Sequence, residues 1–152
     1  MLLEWKKTFA IGHWALDAEH KRLVDIINCV HDAEAAGGPP SNVHDLLKAL
    51  HLATVEHFRH ENSVIRDMVA SYPQVGHGML GESTVNEHCA EHAHSLIELE
   101  NMLHLIAADR KKGLANELRD WFVDHATKHD SQLKTLFSRD PSSGSEATTG
   151  SE

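Results

Sequence analysis

The sequence has few cysteines, no long apolar run and no excess of basic residues, and each absence excludes a class of protein. Two cysteines, Cys29 and Cys89, are too few for a disulfide framework in a chain of 152 residues. No apolar run approaches the roughly 18 residues that a membrane-spanning helix requires. The N-terminus has no basic segment followed by a long apolar one, so we expect no signal peptide.

Basic residues are outnumbered by acidic ones. The net charge of −9 argues against a nucleic-acid or anionic-membrane partner. Together with the scarcity of cysteine, these features predict a reduced, cytoplasmic protein with an ordinary hydrophobic core, since 41% of the residues are hydrophobic.

Histidine, in contrast, is abundant. The chain has 14 histidines, roughly three to four times the usual number for this length. Histidine is the commonest metal ligand in proteins, so the position of each histidine bears on function.

Apolar residues recur at helical spacing in four segments. The first begins near Asp17 and ends at the glycines and prolines of "EAAGGPP", and the second follows with Ser41 as its N-cap. The third opens with a capping box from Thr84 to Glu87, and the fourth follows Gly113. No strand-like alternation competes with these patterns.

The four segments predict an all-α, antiparallel up-down-up-down four-helix bundle over residues 1–137. The remaining residues, 138–152, are polar and low in complexity, and we expect a disordered tail.

Titratable side chains lie on the apolar stripes of all four helices, where an unpaired charge is strongly unfavourable. They are His20, His57, Glu61, His88, His92 and His125, and Asp130 follows five residues after the last histidine. Residues four apart point the same way on a helix, whereas a spacing of five turns Asp130 away, as suits a carboxylate that reaches a second ion. Seven such ligands are too many for one ion, but they suffice for two ions if the carboxylates bridge them. Mixed imidazole and carboxylate ligation suits iron, zinc or manganese. The sequence therefore predicts a di-metal site in the core.

Four motifs carry a family resemblance: "LDAEHKRL", "HFRHEN", "HCAEH" and "WFVDHATKHD". Over residues 5–137 the chain resembles the bacterial hemerythrins, whose fold is a four-helix bundle. The resemblance implies two iron ions joined by an oxo or hydroxo group. One iron would be held by His88, His92 and His125, the other by His20 and His57, with Glu61 and Asp130 bridging.

The function implied by the resemblance is reversible binding of dioxygen, or of small anions, at the open position of the second iron, without enzymatic turnover. Two alternatives remain open: an oxygen- or redox-sensing module with a redox or signalling protein as partner, and a di-iron enzyme that handles nitric oxide or peroxide. By the same resemblance, the ligand pocket would be lined by Leu23, Phe58, Trp121, Phe122 and Ala126.

The sequence departs from the family pattern at three points. An insertion at 74–84 precedes the third helix and contains His77, which we do not expect to be a ligand because Gly81 stands four residues later. Ala126 occupies a position that is usually isoleucine in this family, and the smaller side chain would open the pocket to water. His129 competes with Asp130 on spacing, but the site needs a second bridging carboxylate.

Other interpretations explain fewer of these residues. "HCAEH" matches an inverted zinc-protease motif with Glu91 as general base, but that leaves the other helices' histidines without a role. A ferritin-like site needs two Glu-x-x-His motifs, and only Glu91–His94 fits. We expect the remaining nine histidines on solvated faces and Cys89 as a small buried residue.

Overall fold

Four long helical segments account for most of the chain in the computed structural model, which describes residues 1–37, 39–71, 82–108 and 113–138. They are α1 (Trp14–Ala35), α2 (Pro40–Ser71), α3 (Glu82–Ala108) and α4 (Leu114–Asp124). A π-helical turn (His125–His129) and a 3-10 turn (Asp130–Gln132) continue α4 into the short α5 (Leu133–Phe137). No strand occurs in these ranges, and the predicted all-α four-helix bundle is confirmed. His77, most of the insertion at 74–84 and the tail beyond residue 138 lie outside the described residues.

The first helix begins at Trp14, earlier than the predicted start at Asp17. His13 is the N-cap, and its Nδ1 accepts the N–H of Leu16 at 3.4 Å. The Asp17 carboxylate lies in the first turn and accepts the N–H of Ile11 at 2.7 Å, so it ties the preceding segment to the helix.

The predicted starts of the second and third helices are also wrong. Helix α2 begins at Pro40, since proline suits the first helical position, and Ser41 lies inside the helix. Helix α3 begins at Glu82, so Thr84 and Glu87 both lie inside the helix and do not form a capping box at its N-terminus. Instead, the Ser83 hydroxyl donates to the Glu87 carboxylate at 3.3 Å.

The apolar stripes bury as predicted on α1, where Leu16, His20, Leu23, Ile27 and Val30 are all within the core. Near the C-terminal end of α2, the buried face differs from the predicted stripe by one residue. There, Ile65 is fully buried while Val64 and Met68 are only partly so.

Within the described part of the chain, two apolar clusters make up the core, and the titratable residues lie between them. Along α1, Leu16 belongs to one cluster and Leu23 to the other, with His20 in between. Along α2, Phe58 and Ile65 flank Glu61 in the same way. The bundle thus holds a polar layer enclosed on both sides by apolar packing.

None of the helices, over the residues described, is long and apolar enough to cross a membrane.

Candidate di-metal centre

All seven residues predicted as ligands come together in one buried cluster. Two overlapping groups have ligand atoms within 4.8 Å of one another: His20, His57, Glu61, His125 and Asp130, and Glu61, His88, His92 and Asp130. The two carboxylates belong to both groups, as bridging ligands would. Every member is buried, and Glu61 and Asp130 have no exposed surface.

Each carboxylate faces histidines with both of its oxygens. Oε1 of Glu61 lies 3.0 Å from Nε2 of His88, and Oε2 lies 3.1 Å from Nε2 of His57. Oδ2 of Asp130 lies 3.1 Å from Nε2 of His20 and 3.0 Å from Nε2 of His125, and Oδ1 lies 3.8 Å from Nε2 of His88.

The position of His125 differs from the division that the family resemblance implies. The resemblance places it with His88 and His92, whereas its Nε2 groups with His20 and His57. Its ring centroid is nevertheless nearer to that of His92, at 5.2 Å, than to those of His20 and His57, at 6.3 Å. His125 therefore lies between the two histidine sets.

The cluster contains polar atoms that protein groups leave unpaired. Nε2 of four histidines, Oε2 of Glu61 and both oxygens of Asp130 have no hydrogen-bond partner, the histidines being His20, His57, His92 and His125. Buried polar groups are normally hydrogen-bonded, and each exception needs an explanation. Nitrogen lone pairs and carboxylate oxygens that converge without hydrogen-bond alignment fit metal coordination, and this donor set suits iron.

The π-helical turn brings Asp130 into the cluster. A spacing of five residues would turn the aspartate well away from His125 on an α-helix, but the wider π-helical turn, with its i to i+5 hydrogen bonds, brings the two side chains closer to one face. The turn at His125–His129 therefore places both side chains on one face. His129, the competing residue, is partly exposed and belongs to neither group.

Three of the histidines are oriented by partners outside the cluster. Nδ1 of His20 lies 2.9 Å from the backbone oxygen of Phe9. Nδ1 of His57 lies 2.9 Å from Oε2 of Glu19, and Nδ1 of His92 lies 2.7 Å from Oδ1 of Asn62. Such contacts orient the ring so that Nε2 faces the metal, and they increase its basicity.

Glu19 has a second partner that sequence reasoning missed. His60 was expected on a solvated face, but its Nδ1 lies 2.6 Å from Oε1 of Glu19. Glu19 therefore joins His57 and His60 on α2 to α1. No local motif marks this arrangement, because the three residues meet only when the two helices pack.

We expect Glu19→Gln to weaken metal binding by about 10- to 100-fold, the usual cost of losing an outer carboxylate on a ligand histidine. The substitution removes the charge that polarises His57 and keeps the side-chain shape. Competition with a chelator of known affinity would measure the change. Glu100→Gln is a matched control, because Glu100 pairs with His51 at 3.0 Å away from the cluster. Equal losses in both variants would contradict a positioning role for Glu19.

The residues predicted to line a ligand pocket are all buried in one apolar cluster beside the polar layer: Leu23, Phe58, Trp121, Phe122 and Ala126. Phe58 stacks on His92, with centroids 4.1 Å apart and planes at 2°. Phe122 meets His20 edge-on at 5.8 Å. The indole N–H of Trp121 donates to the backbone oxygen of Ser95 at 3.1 Å.

The alternative interpretations gain no support. Glu91, the general base of the protease motif, is exposed on α3 and belongs to neither metal-capable group.

Of the other histidines, His44, His94 and His104 are exposed and His13, His31, His51, His60 and His129 are partly exposed. Cys89 is not fully buried as expected, and its sulfur accepts from the Arg66 guanidinium at 3.5 Å.

The charges in the cluster shift its pKa values strongly. Burial acts to lower the pKa of His57, but the Glu19 and Glu61 carboxylates outweigh burial and raise it to about 9. Burial lowers the pKa of His92 to about 4. Burial opposes ionisation of Asp130 as well, yet the neighbouring histidines, chiefly His125, hold its pKa well below the usual value. At neutral pH the apo cluster therefore holds ionised carboxylates and a proton on His57.

Comparison with known proteins agrees with this geometry. Residues 12–137 match the family described as the hemerythrin HHE cation binding domain. The chain belongs to the hemerythrin family. It is 28% identical over 117 residues to a bacteriohemerythrin of Methylococcus capsulatus, covering 75% of this chain and 79% of that protein. It is 26% identical over 157 residues to a bacteriohemerythrin of Ralstonia nicotianae, covering 96% and 97%.

A crystal structure of wild-type hemerythrin has the same fold. It superposes with a TM-score of 0.68 at 26% identity, covering 91% of this chain and 99% of the other. Membership of the hemerythrin family supports a metal-binding protein of the di-iron, oxygen-binding type, with dioxygen as the ligand of the family.

Proposed function

We propose that this hemerythrin-family protein binds dioxygen reversibly at a di-iron centre and does not turn over a substrate. The observation that carries the proposal is the pair of buried carboxylates, Glu61 and Asp130, each shared by two groups of histidines. His88, His92 and His125 would hold one iron, and His20 and His57 the other. The irons would supply the electrons for reversible binding of oxygen.

The apolar side chains beside the cluster favour binding over turnover. Turnover of bound oxygen requires protons, which positioned acids deliver in enzymes. Of the five proposed pocket residues only Trp121 carries a polar hydrogen, and Ser95 already accepts it. Leu23, Phe58 and Phe122 are fully or almost fully buried, and their side chains carry no proton to donate.

Stopped-flow spectroscopy of the reduced protein mixed with oxygen tests this proposal. A visible absorption band that forms at once, lasts for minutes and disappears under vacuum supports reversible binding. Rapid and irreversible conversion to the oxidised form would overturn it and favour the sensing or enzymatic alternative. A cytoplasmic location and a redox or signalling partner remain predictions from the sequence.

We expect Ala126→Ile to slow both autoxidation of the protein and the entry of small anions such as azide, each by several-fold. Ala126 is fully buried beside the cluster and directly follows His125. Isoleucine adds three carbons and would fill the space that water or an anion needs, at a cost of about 1–3 kcal/mol for overpacking. Absorbance changes after mixing with air or azide would measure both rates.

Ala115→Ile is the matched control for that substitution. Ala115 is equally buried in the same apolar cluster, on the first turn of α4. Overpacking there should lower stability without changing either rate. If both alanine variants slow the rates alike, or neither does, Ala126 does not line the pocket.

A further inference from the structure

A crevice of about 570 Å³ separates α3 from α4 and ends at the candidate centre. Over the residues that the structure describes, α3 and α4 pack less closely than the other three pairs of adjacent helices. Three carboxylates and three histidines contribute to the crevice walls: Glu91, Glu98, Asp124, His94, His125 and His129. Carboxylate and imidazole are the side chains that ferrous iron prefers over softer donors.

His129 stands between the mouth of this crevice and the centre. Its Nδ1 lies 3.7 Å from Oε2 of Glu91 on α3, and its Nε2 lies 3.9 Å from Oδ2 of Asp124 on α4. Its ring stacks on that of His125, with centroids 6.1 Å apart. Carboxylates, then His129, then His125 therefore follow one another from the surface inwards.

The inner end of the crevice carries a buried nitrogen without a partner. His125 is only 2% exposed. Neither ring nitrogen has a hydrogen-bond partner: Nε2 faces Asp130 at 3.0 Å, on the side of the candidate centre, and Nδ1 lies on the other side of the ring. A buried imidazole nitrogen left unpaired at the end of a polar crevice indicates a place that a ligand reaches.

The charge of the crevice selects cations. Concave surfaces lined by one sign of charge concentrate counter-ions and raise their rate of entry. The groove of about 520 Å³ between α2 and α3 also reaches a residue of the centre, His92, but its charged lining is two arginines, Arg59 and Arg66, against one carboxylate, Asp67. Of these two openings, the crevice with three carboxylates suits a divalent cation better than the groove in which arginines outnumber the carboxylate.

We propose that the crevice between α3 and α4 is the route by which ferrous iron enters the centre. Glu91 and Asp124 would attract the ion, and His129 would pass it to His125. The inference rests on the proposed di-iron function, because a route needs a destination. Lys128, whose ammonium group contacts Asp124 at the mouth, would oppose entry.

The test is the rate at which the apo full-length chain takes up ferrous iron without oxygen, measured by trapping free iron with a chelator at successive times. Glu91→Gln with Asp124→Asn should slow uptake about tenfold. Glu4→Gln with Asp25→Asn is the matched control, since it removes the same two charges from exposed sites elsewhere. Lys128→Gln should accelerate uptake, and the final iron content should equal that of the wild type in all variants.

A second measurement uses the iron-loaded protein. His129→Gln should slow uptake and release of iron to a chelator by the same factor, because a change in the route alters the barrier but not the bound state. Equal uptake rates in the crevice and control variants, or a change in release alone, would overturn the route. A wild-type chain that binds no iron would instead overturn the proposed function, and the route with it.

Discussion

Glu61→Ala and Asp130→Ala should each reduce iron content from two ions per chain to one or fewer. Each carboxylate places its oxygens near histidines of both groups, so its removal takes a ligand from both metal positions at once. Loss of one bridging ligand also leaves the two metal charges less compensated in a buried layer. Metal analysis after loading without oxygen would measure the loss.

Two further variants separate metal binding from folding. Glu61→Gln and Asp130→Asn keep the side-chain volume and remove the charge, and they should show the same loss of iron. Thr54→Val is the control, because Thr54 is buried on α2 near Glu61 but its hydroxyl donates to the Leu50 carbonyl and not to the cluster. Two irons per chain in a carboxylate variant, or loss of iron in the Thr54 variant, would contradict bridging.

The fold and the membership of the cluster were predictable because helical spacing carries the necessary information. A polar residue on an apolar stripe stands out in the sequence, and His57 with Glu61 does so four residues apart. Once the helices pack side by side, such residues on different helices lie at the same height along the bundle axis. Helix starts were less predictable, since the helices begin at Trp14 and Pro40 and not at the aspartate and serine that the sequence indicated.

The approach of Asp130 was not predictable from an α-helical period. A five-residue spacing indicated a side chain turned away from His125, and the π-helical turn reverses that conclusion. Such turns are rare and frequently occur at functional sites. Here the extra residue in the turn interrupts the α-helix and places a second carboxylate, that of Asp130, in the polar layer.

The outer partners of the histidines were also not predictable. The Phe9 carbonyl, the Glu19 carboxylate and the Asn62 amide act across helices or from the N-terminal segment. Their residue types are common on any helix surface. Only the packing of α1 on α2, of α2 on α3 and of the N-terminal segment on α1 reveals that they orient the rings of the cluster.

Removal of iron should lower the melting temperature substantially, and the difference between the iron-loaded and apo proteins should grow as pH rises. Metal held at about 1,000 times its dissociation constant stabilises a fold by roughly 4 kcal/mol. For a chain of this size that corresponds to a shift of about 8–16 °C. Apo protein instead leaves polar atoms of the core unpaired, among them both oxygens of Asp130.

The pH dependence follows from His57, whose pKa the Glu19 and Glu61 carboxylates raise to about 9 in the folded apo protein, although burial opposes them. In the unfolded chain the pKa of a histidine is about 6.5. Protonated His57 therefore stabilises the apo fold fully below pH 6.5, and this stabilisation is lost as pH rises towards 9. Metal requires neutral imidazole, so binding must displace that proton, at a cost that falls over the same range. His88, whose pKa its contact with Glu61 raises against the effect of burial, acts in the same direction. Displacement of the His57 proton therefore counts once, and it widens the gap between the two melting temperatures as pH rises, until about pH 9.

Calorimetry of the two forms without oxygen, across this pH range, would measure the gap. Glu19→Gln provides an internal comparison, because it removes one of the carboxylates that raise the pKa of His57. In that variant the widening should be complete at a lower pH. A gap that stays constant or narrows with rising pH in the wild type would show that His57 does not exchange a proton for metal, and equal melting curves at every pH would contradict a buried metal site.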